Sequence, residues 1–287
     1  MAAIFKRELK SYYTGLTGYV IAAVLLGFTG MYTVTLNLTY GYPNFEYVLD
    51  SMTLVYIVLI PLLTMRLIAG ERRQKTDTLL YSLPLTSGDV VLGKFLAAWT
   101  ALALPMAVAG LYPLILGRFG TVNYATAYAG LLAFLLMGGA LISIGLFLSA
   151  LTESQFVAGA LCFAVMLADF SAYSLSLYVS GASYVSFMTL MAGGLVIAAV
   201  LWYLTKNIAA GLAFAVVADG AMLVCYLLSP ALFGGVMSKI LQALCVFIRM
   251  TGFINGVFDW QAVVYFLSVT AVCLFLTAQA LEKRRWS

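Results

Sequence analysis

Residues 125–150 read ATAYAGLLAFLLMGGALISIGLFLSA, an apolar run that contains no charged residue. A bilayer core about 30 Å thick needs about 20 helical residues at ~1.5 Å rise each. The run is therefore long enough to cross a membrane. In lipid, backbone N–H and C=O groups must find partners within the protein, and a helix satisfies them inside one segment. Seven similar runs occupy residues 17–36, 51–69, 91–116, 156–178, 184–204, 208–229 and 261–281. Together they predict an all-α, polytopic transmembrane helix bundle of about eight spans. Only Thr205, Lys206 and Asn207 separate the runs at 184–204 and 208–229. That pair reads as a tight hairpin or as partly re-entrant, and without it six spans remain.

Composition points the same way. Of 287 residues, 64% are hydrophobic and 9% charged, against roughly 25% charged in a soluble domain. A single soluble core of this size could not hide that much apolar surface. Histidine is absent, which removes Ser-His-Asp and Cys-His nucleophile systems and histidine-based metal sites. Cys162, Cys225 and Cys273 lie in apolar runs, Cys245 lies in an amphipathic stretch, and no CxxC spacing occurs. They read as small apolar packing residues. Neither a catalytic residue nor a metal site is expected in this chain.

The net charge of +4 is orientation information, and no nucleic-acid partner is implied. With the N-terminus inside, the inner segments hold Lys6, Arg7, Lys10, Arg66, Arg72, Arg73, Lys75, Lys94, Lys206, Lys283, Arg284 and Arg285, while the outer ones hold Arg118, Lys239 and Arg249. Twelve against three places both termini in the cytoplasm, in a bacterial-type plasma membrane crossed an even number of times. The first run exceeds a signal-peptide core, and no small-x-small site follows it, so it reads as a retained anchor. Residues 1–14 put Phe5, Leu9, Tyr12 and Tyr13 on one helical face beside Lys6, Arg7 and Lys10, the pattern of an interfacial helix. Residues 230–259 read as an outer loop with a short interfacial helix, Met237 to Met250. The whole chain, 1–287, reads as a single transmembrane domain.

The longest inner segment, residues 70–94, is GERRQKTDTLLYSLPLTSGDVVLGK. It contains Gly88-x-x-x-x-Gly93-Lys94, seven positions of a Walker A loop. Phe95 stands where the Mg²⁺-binding Ser/Thr belongs, and a membrane helix follows instead of a strand-loop-helix. ATP binding by this chain is not expected. A helix over 70–82 is predicted to end before Pro84, with Ser87-Gly88-Asp89 supplying the turn and the N-cap of the third span. Glu71, Arg72, Arg73 and Lys75 would make charge-assisted contacts with a partner or with lipid headgroups.

Asp169 and Asp219 stand near mid-membrane in their runs. Charges there are costly and face a bundle interior or a cavity. Two readings stay open: a substrate or proton pathway, or protonated acids hydrogen-bonded to a neighbouring helix. Pro61, Pro105 and Pro113 are expected to kink their helices, and Gly138, Gly139 and Gly145 to allow close packing.

Read whole, the 70–94 segment resembles the ABC-2-type transporter permease family. The resemblance lies in Glu71-Arg72 after the second span, Thr76-Asp77-x-Leu79-Leu80-x-x-x-Pro84, and Val90-Val91-Leu92-Gly93-Lys94-Phe95-Leu96-Ala97. Lys75 departs from the glycine that many members carry before the threonine. Leu151-Thr152-Glu153-Ser154-Gln155 is similar to the family's second cytoplasmic contact, and Leu281-Glu282-Lys283-Arg284-Arg285-Trp286 to the ending of gliding-motility-type ABC permeases. The resemblance implies an ABC-2 (type V exporter-like) permease subunit of an ATP-binding cassette exporter. Its partners would be a second permease, in a homo- or heterodimer, and separate ABC ATPase subunits that bind ATP and Mg²⁺. Coupling to the ATPase would fall to Glu71, Arg72, Arg73, Thr76, Asp77, Leu79, Pro84 and Glu153. The alternative is a proton-coupled secondary transporter using Asp169 and Asp219. It would be expected to show inverted repeats, and none is evident in the sequence.

Overall fold

The computed structural model describes residues 1–73, 86–178, 183–205 and 208–285. It forms two compact units, one of Met1–Ala168 with Arg249–Ser287 and the other of Asp169–Ile248. Every regular element among the described residues is helical. Six helices are long and apolar enough to cross a membrane: Thr17–Thr39, Glu46–Arg73, Ser87–Leu116, Tyr124–Leu151, Gln155–Ser176 and Trp260–Lys283. The chain thus has the architecture of a helical membrane protein.

Two of the eight expected runs, 184–204 and 208–229, are not among these six. Both runs form helices, Ser183–Thr205 of 23 residues and Ile208–Leu228 of 21, within which the described apolar stretches are Ser183–Ala192 and Asp219–Leu228.

The first unit begins with α1 (Ala2–Thr14). It continues through α2 (Thr17–Tyr32), whose last turns widen into a π-helix, Thr33–Thr39. Next come α3 (Glu46–Thr64) and the short α4 (Ala69–Arg73). Beyond residues 74–85 the third span starts as α5 (Ser87–Ala109) and restarts as α6 (Tyr112–Leu116). Pro113 sits in the first turn of α6, where a missing N–H costs nothing, so it starts a helix instead of kinking one. Pro61 and Pro105 lie inside α3 and α5. α7 (Tyr124–Leu151) and α8 (Gln155–Tyr178), which belongs to this unit as far as Ala168, follow, and α12 (Thr251–Ile254) and α13 (Trp260–Arg285) close the chain.

α7 is the axis of this unit, packed by α3, α5 and α13, while α2 lies on α3 and α5. Its glycines set the spacing. A Cβ at Gly138 would stand 2.6 Å from Leu102 Cδ2, and one at Gly145 would stand 2.8 Å from Thr64 Cβ. Both are overlaps, and filling such sites costs about 1–3 kcal/mol. At Gly139 the neighbour is Trp99, whose indole Nε1–H donates to the Leu135 carbonyl at 3.1 Å. Tyr56 stacks on Phe134 with centroids 4.1 Å apart. Outward, α3 exposes Leu54, Val58 and Leu62 at i, i+4 spacing, each about half accessible. A soluble bundle would bury such a stripe.

In the second unit α9 (Ser183–Thr205) and α10 (Ile208–Leu228) form a helical hairpin. Phe187 stacks on Tyr226 at 4.4 Å, and both meet Phe233 edge-on. The interfacial helix expected over Met237–Met250 is broken. α11 (Val236–Leu244) stops, Cys245 turns extended, and a 3₁₀ turn resumes at Phe247–Met250.

Candidate functional site

At one end of the first unit, four charged side chains from three helices converge. Lys94, in the second turn of α5, is 1% exposed. Its Nζ lies 2.9 Å from Glu71 Oε1 on α4 and 3.1 Å from Glu8 Oε1 on α1. Arg7 closes the ring, with its Nη2 2.7 Å from each of those carboxylate oxygens. Two cations and two anions balance, which is what permits an ammonium to be buried at all. Burial works to raise the Glu8 pKa, but Lys94 and Arg7 outweigh it and hold that carboxyl below its ordinary value. The hydrogen bond to Glu8 raises Arg7 in turn.

Local sequence explains the convergence. Gly93 precedes Lys94, and a Cβ there would stand 3.0 Å from Ile4 Cγ2 and 3.3 Å from the Met1 carbonyl. The glycine therefore lets α1 lie directly on α5. Glu8, one turn beyond Ile4 on α1, then meets Lys94, one residue beyond Gly93. The N-terminal amine of Met1 approaches Asp89 at 3.8 Å, and the Tyr12 hydroxyl donates to the Leu63 carbonyl at 3.3 Å.

α4 is fastened on its other side. The Arg72 guanidinium donates to the carbonyls of Ala150 and, at 3.2 Å, Thr152. Ser149 Oγ accepts from the backbone N–H groups of Ile68 and Ala69, at 3.3 and 3.0 Å. The junction therefore joins α1, the end of α3, α4, the start of α5, and the turn between α7 and α8.

Glu71 and Arg72 make an ion pair and hydrogen bonds within the chain, where α4 meets α5 and the turn after α7. Arg73, on the outer face of α4, is exposed. Glu153 is exposed in the turn whose Thr152 carbonyl receives Arg72. Thr76, Asp77, Leu79 and Pro84 lie outside the described residues, as does most of the helix expected over 70–82.

Residues 87–94 are helical, so the 70–94 segment is not a loop to its end. The N-cap is Thr86, not Ser87-Gly88-Asp89: Thr86 Oγ1 accepts the Asp89 N–H at 3.2 Å and donates to Asp89 Oδ2 at 2.7 Å. Gly88 to Lys94 are thus in helical conformation, unlike a phosphate-cradling loop, and the Lys94 ammonium is taken by two carboxylates.

Lys94, Arg7, Glu8 and Ser149 were not singled out as a site by the sequence. A lysine in the first turns of an apolar helix does signal a requirement for anions. Glu8, the lone acid in an otherwise basic α1, was the partner to seek.

The two acids near mid-membrane differ. Both Asp169 carboxylate oxygens accept the Val246 N–H, at 3.1 and 3.0 Å, and its carbonyl accepts from the Cys245 thiol at 3.2 Å. Val246 N–H, freed by the break after α11, is thereby satisfied, as buried backbone donors must be. Asp169 thus acts as a hydrogen-bond acceptor for the break after α11. Asp219 on α10 is 6% exposed, and neither of its oxygens has a hydrogen-bond partner among the described residues.

In a chain whose other cysteines are replaced, Asp169→Asn retains an acceptor and should keep Cys245 shielded from maleimide. Asp169→Leu should release the break and expose that thiol. Equal protection in both variants would show that the carboxylate does not hold the break.

No protein-family model matches this chain, and no curated protein matches it.

Proposed function

We propose that this chain is the membrane-spanning permease subunit of an ABC-2-type exporter, driven by separate ATPase subunits and paired with a second permease. It would act as a transport component of the cytoplasmic membrane, with both termini inside and ATP and Mg²⁺ held by the partner. The observation that carries the reading is the Glu71–Lys94 ion pair. It fastens the two sides of segment 74–85 to each other, and Arg72 ties the same base to the turn after α7. A push delivered to that segment would reach α3, α5 and α7 together, as a motor-driven permease requires. The Glu71-Arg72, Leu79-Leu80-x-x-x-Pro84 and Leu92-Gly93-Lys94 motifs supply the family resemblance.

The test is to purify the tagged chain from its native membrane in mild detergent and identify its companions by mass. Recovery of a soluble chain with a complete Walker A loop, and of ATP hydrolysis that the permease alone lacks, is expected. Orientation is checked in the same cells. Cysteine at position 84 should react only from the cytoplasm, and cysteine at 43 or 238 only from outside. A companion-free chain, or positions 84 and 43 on one side, would overturn the reading.

A further inference from the structure

Between α2 and α3 lies a cavity of about 590 Å³ that the charge junction does not use. Its walls are apolar along their length, with Val20, Val24 and Phe28 on one side and Val58 and Leu62 on the other. Along α2 the lining runs from Leu16 to Tyr32, about 24 Å at helical rise. That exceeds half of the ~30 Å hydrocarbon core, so an acyl chain from one leaflet fits along it. One cation completes the lining, Arg66, at the Leu16 end.

Arg66 is exposed and has no ion-pair or hydrogen-bond partner among the described residues. Its depth is fixed by α1. Tyr12 bonds the Leu63 carbonyl three residues before Arg66, and the arginine's charge acts on the Tyr12 hydroxyl. The amphipathic α1, which leads into the Leu16 end of α2, also exposes Lys6 and Lys10, cations of the kind that meet anionic headgroups. A long apolar slot ending at an unpaired guanidinium has the chemistry of one kind of occupant.

We propose that the α2–α3 slot holds a resident phospholipid with an anionic headgroup, its acyl chain against Val24 and Val58 and its phosphate on Arg66. The bidentate geometry of a guanidinium suits a phosphate oxygen pair. The site is a lipid site of the fold and does not depend on whether ATPases drive the chain.

The test uses the full-length chain, delipidated in detergent and titrated with phosphatidylglycerol or phosphatidylcholine under native mass spectrometry. Phosphatidylglycerol should be retained about fivefold better, the weight of one arginine at a membrane surface. Arg66→Gln should equalise the two lipids, lowering retention of phosphatidylglycerol more than that of the zwitterionic lipid, whose choline offsets its own phosphate. Val58→Trp, at a half-exposed position, should fill the slot and remove retention of both. Leu62→Trp serves the same purpose if the first variant misfolds, and Val264→Trp, exposed on α13, should change neither. An unchanged preference in Arg66→Gln, or unchanged retention in the tryptophan variants, would overturn the site. So would Val58→Cys forming a disulfide between two copies in the membrane, because the slot would then be covered by a second chain.

Discussion

Glu8→Gln combined with Glu71→Gln is expected to destabilise the purified protein by about 3–5 kcal/mol, the cost of leaving a buried charge without its partner. Lys94 is 1% exposed, and among the described residues Glu8 and Glu71 are the two anions within ion-pair distance of it. With both neutralised, the ammonium would face Arg7 instead, and α1 would lose its tie to α5. Adding Lys94→Met to the double variant removes the stranded charge at similar length and should recover most of the loss. The order is therefore double variant least stable, triple variant intermediate, parent most stable. The temperature at which half the protein leaves its monodisperse peak in detergent reads this order. A double variant as stable as its parent would mean that the cluster contributes nothing to the fold.

The same cluster gives a pH dependence with a definite sign. The Glu8 carboxyl is held below its ordinary value of 4.5, so the folded protein binds its proton less readily than the unfolded chain does. Its contribution is fully present above about pH 4.5 and is lost as pH falls through the lower folded value. Lys94 is the largest of the influences that lower it, so the acid-dependent loss should shrink in Lys94→Met.

How much of this was legible from sequence differs from residue to residue. The bundle was readable because an uncharged run such as 125–150 has one stable form in lipid, and the glycines that let α7 approach Thr64 and Leu102 lie openly in it. The apolar run of the third span begins at 91, whereas its helix begins at Ser87, one residue after the Thr86 cap. The Thr86–Asp89 cap makes the first turn polar, and hydropathy does not register a polar first turn as helix.

The junction was half visible. Glu71 and Arg72 stood out, but their partners lie 64 residues away at Arg7 and 78 away at Ala150, and no local pattern encodes such pairings. Asp169 was visible as a costly buried acid, but its tie to Val246 depends on a helix break 77 residues on. Apolar periodicity through Met237–Met250 concealed that break.

The second large effect concerns coupling, and it needs variants that leave the junction intact. Glu71 does not serve, because a change there removes one of the two carboxylates on Lys94 and confuses folding with function. Arg73 does serve: it ends α4, is exposed, and has no ion-pair partner among the described residues. A charge-assisted contact is worth about 1.5–3 kcal/mol, so Arg73→Glu should weaken ATPase association by roughly tenfold or more. Leu79→Pro should break the helix that the sequence predicts over 70–82, at about 3 kcal/mol or more within that element. Both variants should insert normally and melt with the parent, since no apolar run and no member of the Lys94 cluster is altered. Each should lose the partner on pull-down, or retain it while permease-stimulated hydrolysis in reconstituted vesicles disappears. If hydrolysis, stimulation and partner recovery all match the parent in both variants, segment 70–85 does not carry the stroke. The turn at Leu151–Gln155, with Glu153 exposed and Thr152 already fastened to Arg72, would then be the surface on which the motor acts.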